Sequence, residues 1–344
     1  MSSSALTAPP TQEVDPTSPA APPVGRARRR SLSRFTLPLL LVGIVVVFST
    51  LPATRLSFPT SANIDAIVAS NSVLAVVAIA LLFPLIAGQF DLSVGANVGL
   101  AAIVAAALFQ NGQSLPVGIL GGLAAGALVG VVNGLVVAWL GVSSFITTLG
   151  MTTVISGLVL AYTEGQSILE GVPASLTDLS SAQFLGLPRV VLAVLLVGVL
   201  AWYVMTFTPL GRSMRAVGSN EAAARLVGID VRRVSFLAFV VAGLLCGVAG
   251  VLMVGISSGA NPQAGPGYLL PTFAAAFLGA TVSRTNAFNV GGTVIAVLFV
   301  AISVSGLVLA GVQPWVEQVF QGAVLIAAVT VATLARRRTE GTAV

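Results

Sequence analysis

Ten apolar runs, each close to the length that crosses a lipid bilayer, occupy most of this 344-residue chain. They cover 37–54, 66–88, 92–109, 115–138, 143–162, 188–207, 234–256, 269–283, 288–310 and 314–334. A helix needs about 20 mostly apolar residues to cross a hydrocarbon core about 30 Å thick. The chain is 56% hydrophobic and 8% charged, which excludes a water-soluble domain with the usual quarter of charged residues. The expected fold is therefore all-α: a polytopic membrane protein with about ten transmembrane helices. The eighth run is short, carries Pro271 near its start and ends near Arg284, so a partial or broken helix is expected there.

Charge then orients the runs. All 16 basic residues are arginine, and arginines near span ends collect on the cytoplasmic side. With ten spans and an internal N-terminus, Arg26, Arg28, Arg29, Arg30, Arg34, Arg212, Arg215, Arg225, Arg232, Arg233, Arg284, Arg336, Arg337 and Arg338 fall inside, leaving Arg55 and Arg189 outside. Six spans before residue 211 and four after it are thus favoured, in the bacterial cytoplasmic membrane, with both termini cytoplasmic. Residues 1–34 are rich in Ser, Pro, Ala and Thr and read as a disordered tail. The apolar run behind them is longer than a signal-peptide core and is expected to remain as the first span. A transmembrane domain over 35–336 and a short tail over 337–344 complete the division.

Several chemistries are excluded. The basic residues form no continuous face for nucleic acid. One cysteine, Cys246 in an apolar run, allows no intrachain disulfide and no cysteine-based metal site. Without lysine there is no Walker A loop, and without histidine the usual zinc and general-base constellations are missing. No catalytic residue, metal site or bound cofactor is expected, and any ATP used must be hydrolysed by another chain.

The two longest loops differ in character. The outer one, 164–188, carries Glu164, Glu170 and Asp178 and reads either as a docking surface or as a solvated loop. The inner one, 208–233, contains GRSMRAVGSNEAAARLVGIDVRR. There Ser219 and Asn220 supply N-cap chemistry, Glu221 suits a helix N-terminus, Ala222 to Leu226 are strong helix formers and Gly228 offers a stop. The expected helix is about two turns long, marginal alone and poorly suited to lipid, but shaped for a groove in another protein. Topology alone needs the arginines but not the cap, the alanines or the glycine.

The stretch GRSMRAVGSNEAAARLVGI resembles the cytoplasmic coupling loop in permease subunits of ribose-type (monosaccharide) ABC importers. GQFDLSVG (88–95), SFITTLG (144–150), TEGQSI (163–168) and GPGY (265–268) resemble further motifs of that family in the same order. There are departures: Gln89 replaces a glycine, Ser144 stands where proline is common, and LGATVSRTNAFNVGG (278–292) lacks most of a glycine cluster. Glu221 also lies seven residues before Gly228 in place of six, which shifts the weight from Glu221 towards Ala223, Ala224 and Gly228. The resemblance implies a permease translocating a monosaccharide. Its implied partners are an ABC ATPase subunit carrying Mg-ATP, an extracytoplasmic sugar-binding protein, a second permease copy or homologue, and membrane lipid. It places ATPase coupling on Asn220, Glu221, Ala223, Ala224, Arg225 and Gly228.

A pathway for a neutral polyol requires hydrogen-bonding groups without fixed charge in the membrane interior. Asn71, Asn97, Asn133, Thr147, Thr148, Thr152, Thr153 and Ser156 lie within the predicted spans. Phe90, Asp91, Asn97, Phe145 and Thr147 are the candidate pathway residues. Asp91 also reads as an N-cap of the third span or as a tie between helices, and LGGLAAGALVGVVNG (120–134) as a close helix contact. Permeases for nucleosides or branched-chain amino acids are near alternatives. A secondary transporter is a more distant one, since it would need buried ionisable groups that this chain hardly offers.

Overall fold

The computed structural model of the protein describes residues 35–184, 186–283 and 287–340. The tail over residues 1–34, Arg284 and the last four residues lie outside that range. The described helices are α1 (Thr36–Thr50), α2 (Ser61–Ser70), α3 (Ser72–Ile86), α4 (Val94–Gln110), α5 (Leu115–Ala138), α6 (Ser144–Thr163), α7 (Ala174–Ser181), α8 (Val190–Phe207), α9 (Pro209–Ser219), α10 (Glu221–Leu226), α11 (Val231–Ser257), α12 (Leu269–Ala280), α13 (Val290–Leu309) and α14 (Pro314–Glu340). One two-stranded ribbon, β1 (Gln183–Phe184) with β2 (Leu187–Pro188), lies between α7 and α8. The all-α polytopic reading holds.

Among the described residues seven segments are long and apolar enough to cross a membrane: the joined pair α2–α3 (Ser61–Ile86), α5, α6, α8, α11, α13 and the first part of α14 (Pro314–Val331). The other three expected spans are the shorter helices α1, α4 and α12, of 15, 17 and 12 residues. At 1.5 Å per residue α12 rises only about 18 Å. It is continuous but short and is preceded by a 3-10 turn, Gly265–Tyr268, so of the two expectations for the eighth run, partial or broken, the structure gives a partial helix. At the other extreme α14 continues to Glu340, past the boundary expected at 336.

The centre of the bundle is α3, all fifteen of whose residues are buried, flanked by α4 and α11. A helix apolar on every side can be buried on every side. Helix association within lipid gains little from hydrophobicity and depends on small residues that bring backbones close. The α5–α11 crossing works this way: a Cβ on Gly126 would stand 2.5 Å from Gly243 O and 2.6 Å from Gly247 N, so only hydrogen fits. The glycines of 120–134 are therefore packing residues, as expected. Helices α5, α6, α8 and α14 keep large apolar side chains exposed, among them Leu128, Leu158, Leu195 and Ile326.

The chain is interrupted twice inside the bundle. Residues 87–93 join α3 to α4 without regular structure, and residues 258–264 join α11 to the 3-10 turn after Ser258 takes a left-handed conformation at φ 52°. The 3-10 turn that follows the second interruption packs on the start of α4, where a Cβ on Gly265 would lie 2.7 Å from Gly95 O and 2.9 Å from Gly99 Cα. The arginine-bearing end of the bundle is marked by α9 and α10, against which α3 terminates. The opposite end carries residues 164–184, which are tied to the chain after α11: Ile168 and Ala260 pair through N–H···O bonds of 2.9 and 2.8 Å. Leu176 of α7 is buried there beside Gly255.

Candidate functional site

At the arginine-bearing end, α10 forms as its sequence dictates. Asn220, in extended conformation, accepts a hydrogen bond on Oδ1 from Ala223 N at 3.0 Å and so satisfies one of the orphan donors of the first turn. Arg225 Nη2 meets Glu221 Oε1 at 2.6 Å across one turn. Both side chains are more than half exposed, so the pair contributes at most about 1 kcal/mol. Gly228 N bonds Arg225 O and Ile229 N bonds Ala224 O, each at 3.0 Å, with Gly228 at φ +81°. This is a Schellman stop, and it requires the left-handed region that glycine enters without strain.

The helix exposes all its residues except Ala224, which is buried against the protomer's own core. Ala223 and Gly228 therefore belong to the outer surface, and Ala224 anchors the helix from beneath. Next to them Leu226 and Val227 stand 89% and 75% exposed, a pair of large apolar side chains on a capped knob. Leu226 counts in the sequence only as a helix former and Val227 not at all, although their place just before the stop glycine is visible there.

A second element was missed altogether. Helix α9 begins where Thr208 accepts from Gly211 N at 3.4 Å with Pro209 at the first helical position, and it buries Gly211, Met214 and Val217 on one face. Its last turn abuts the first interruption: a Cβ on Gly218 would overlap Ile86 O and stand 3.1 Å from Gly88 N. Gly88 itself has φ +79°. The knob of α10 is thus joined, through α9, to the break between α3 and α4.

That break continues directly into the polar seam predicted for the pathway. Ser144, Thr148 and Thr152, one turn apart along α6, hold the irregular strand: Phe90 N donates to Ser144 Oγ at 3.1 Å, Leu92 N to Thr148 Oγ1 at 3.0 Å, and Thr152 Oγ1 donates to Leu92 O at 3.0 Å. Side-chain hydroxyls here replace the helical partners that the broken backbone has lost, which is the condition for irregular chain at membrane depth. Asp91 is not the N-cap of α4. Ser93 holds that position, and Asp91 Oδ1 accepts from Ser93 N at 2.9 Å and Ser93 Oγ at 2.6 Å. Asn133 Nδ2 of α5 donates to Ser93 Oγ at 2.9 Å, and Asn97 Nδ2 donates to Gly126 O at 3.2 Å.

The five candidate pathway residues separate into two pairs and Thr147. Asp91 and Asn97 are buried: Asp91 receives Ser93 of its own segment, and Asn97 bonds the α5 backbone at Gly126. Phe90 and Phe145 are about half exposed on either side of the Phe90–Ser144 bond, and Phe90 stacks on Phe273 of α12 with centroids 6.5 Å apart. Thr147 has a buried hydroxyl without a hydrogen-bond partner, as do the Oδ1 atoms of Asn97 and Asn133. Among the described residues no group of three or more Cys, Asp and Glu side chains gathers where a metal could be held.

Comparison with known proteins follows the same lines. Residues 63–329 match the family model described as "Branched-chain amino acid transport system / permease component". The chain is 33% identical over 295 residues to the ribose import permease protein of Escherichia coli (strain K12), covering 85% of this chain and 92% of that one. It is 34% identical over 299 residues to the autoinducer 2 import system permease protein of Enterobacter sp. (strain 638), covering 87% and 85%. It is also 29% identical over 318 residues to the L-arabinose ABC transporter permease protein of Azospirillum brasilense, covering 92% and 94%. No solved structure matches it significantly.

Proposed function

The chain belongs to the permease-component family whose model spans residues 63–329, and from that membership we propose that it is the membrane-spanning subunit of a monosaccharide ABC importer. The relatives named above are import permeases for ribose and autoinducer 2 and an ABC transporter permease for L-arabinose, and a D-allose transport system permease of Escherichia coli (strain K12) is 31% identical over 84% of the chain. In this reading the arginine-bearing end is cytoplasmic and an ATPase subunit, which carries Mg-ATP, receives α10. A substrate-binding protein delivers sugar at the opposite end, and a second permease completes the pathway.

The observation that carries the proposal is the contact between α9 and the α3–α4 break. A partner that grips the exposed knob of α10 and moves on binding ATP displaces Gly218 against Ile86 and Gly88. The strand that follows holds Phe90 and Asp91, so the displacement reaches the polar seam without passing through flexible chain. Conformational coupling needs such a contiguous two-state element that both sites bias. Neutral hydroxyl and carboxamide groups along the seam suit a polyol, since they bind it without the desolvation cost of a fixed charge.

Copurification with the ATPase subunit tests the assignment. Replacing Ala223 by Trp and Val227 by Asp is expected to abolish copurification and ATP-dependent uptake while leaving the permease folded. Retention of both activities in the double variant would remove α10 from the interface.

A further inference from the structure

Opposite the arginine end, a cavity of about 530 Å³ lies between α2–α3, the 3-10 turn, α13 and α14. Its depth in the bundle follows from the chain. The segment Ser61–Ile86 ends against α9, so its first residues, among them Asn63, stand at the other end, and Ser305 Oγ bonds Asn63 Oδ1 there at 3.0 Å. Its volume is that of an ordinary small-molecule pocket, which is apolar with a few placed polar groups.

The polar groups are Asn63, Ser70, Asn71, Tyr268, Ser305, Glu317 and Gln321, and the other lining residues are apolar. They come from four separate segments and converge. Several of their donors are already engaged: Asn63 Nδ2 donates to Phe58 O at 2.8 Å, Asn71 Nδ2 to Ile67 O at 2.9 Å, and Gln321 Nε2 to Glu317 Oε1 at 3.0 Å. What the walls offer is mainly acceptor capacity, including a carboxylate that has four lone-pair sites and one neighbour using them. No arginine lines the cavity.

We propose that this cavity binds a neutral polyol of monosaccharide size within a single protomer, at the end of the bundle opposite the arginines. The inference rests on the importer reading above and gives it a specific site. A sugar presents several hydroxyl donors on a small frame, and a carboxylate receives two of them in charge-assisted bonds. The ring of Tyr268 presents an apolar body with a polar tip, which suits the mixed faces of a pyranose or furanose. A ligand with net negative charge fits poorly, because it would face Glu317 with no arginine among the described lining residues to meet it. An acyl chain fits poorly too, because it would leave the carboxylate and the amides without partners.

The test measures binding of tritiated D-ribose, L-arabinose and D-allose to the full-length permease in lipid nanodiscs, without any binding protein. Saturable binding of at least one sugar, uncompeted by L-leucine, is expected. Glu317→Gln, which keeps the acceptor for Gln321 but removes the charge, is expected to weaken it at least tenfold, and Asn71→Leu likewise. Should either variant fail to fold, Ser305→Ala, expected to weaken binding several-fold, replaces it. Absence of saturable binding, unchanged binding in the folded variants, or displacement by L-leucine overturns the site. Copurification of the ATPase subunit and ATP-driven uptake are read in parallel, so an importer that still transports with Glu317→Gln at full rate refutes this cavity and leaves the proposed function standing.

Discussion

Gly218 of α9 sits against the backbone of Ile86 so closely that a Cβ at position 218 would overlap the Ile86 carbonyl oxygen. Hydrogen is the only side chain that the contact admits, because neither backbone is the far end of a flexible group. The pair links the knob of α10 to the strand that carries Phe90 and Asp91.

Gly218→Val is expected to separate the two elements without removing α10 or its caps. ATP-driven uptake should fall at least tenfold, while copurification with the ATPase subunit and the ATPase activity of the complex persist. Transport and hydrolysis measured on the same reconstituted complex decide it: uptake within twofold of the parent would show that the contact carries no motion.

The caps of α10 rank its residues. Gly228→Val places a β-branched side chain at φ +81°, a conformation costing about 1–3 kcal/mol for a non-glycine residue. Asn220→Ala removes the bond to Ala223 N and costs about 1 kcal/mol. Glu221→Ala breaks an exposed ion pair worth at most about 1 kcal/mol. Affinity for the ATPase subunit should therefore fall in the order Gly228→Val, Asn220→Ala, Glu221→Ala, with the last barely distinguishable from the parent in a titration. A larger loss from Glu221→Ala than from Gly228→Val would mean that the carboxylate touches the partner directly.

The α5–α11 contact makes a stability prediction. Gly126→Leu has no room on any side, since Gly243 O and Gly247 N stand 2.5 and 2.6 Å from the first added carbon. Overpacking of this kind costs about 1–3 kcal/mol, and more where backbone must move. The variant should unfold at least several degrees below the parent in detergent. Gly150→Leu, at a helical position with nothing within 4 Å, should leave the melting temperature unchanged.

What could be read in the sequence was local. Leu115–Ala138 has the bounds given by its apolar run, and α10 has the cap and stop that Asn220 and Gly228 announce, because each depends on residues within one turn. Helix α9 was hidden because its buried face consists of Gly211, Met214 and Val217 among arginines that already had an explanation in topology. The seam was half visible. Ser144, Thr148 and Thr152 have helical spacing, but nothing in their own neighbourhood shows that their hydroxyls bind a strand more than 50 residues earlier. The cavity at Glu317 lies further still from any local signal, since its walls come from four segments that only the packing of α12 and α13 brings together.

Asp91 tests whether the seam is a structural joint. Its Oδ1 receives both the amide and the hydroxyl of Ser93, and Ser93 Oγ in turn receives Asn133 Nδ2. Asp91→Asn keeps an oxygen of the same geometry in place, so the joint should survive, with uptake within about threefold of the parent. Asp91→Leu leaves the Ser93 amide and the Ser93 hydroxyl proton without their acceptor in a buried site, at about 1–3 kcal/mol for each donor. That variant should lose several degrees of thermal stability and most of its folded yield. Fluorescence-detected size exclusion after heating separates the outcomes. If Asp91→Asn abolishes uptake while its melting temperature equals the parent's, the negative charge itself is required, and Asp91 acts on the transported molecule or on a proton and not merely on Ser93.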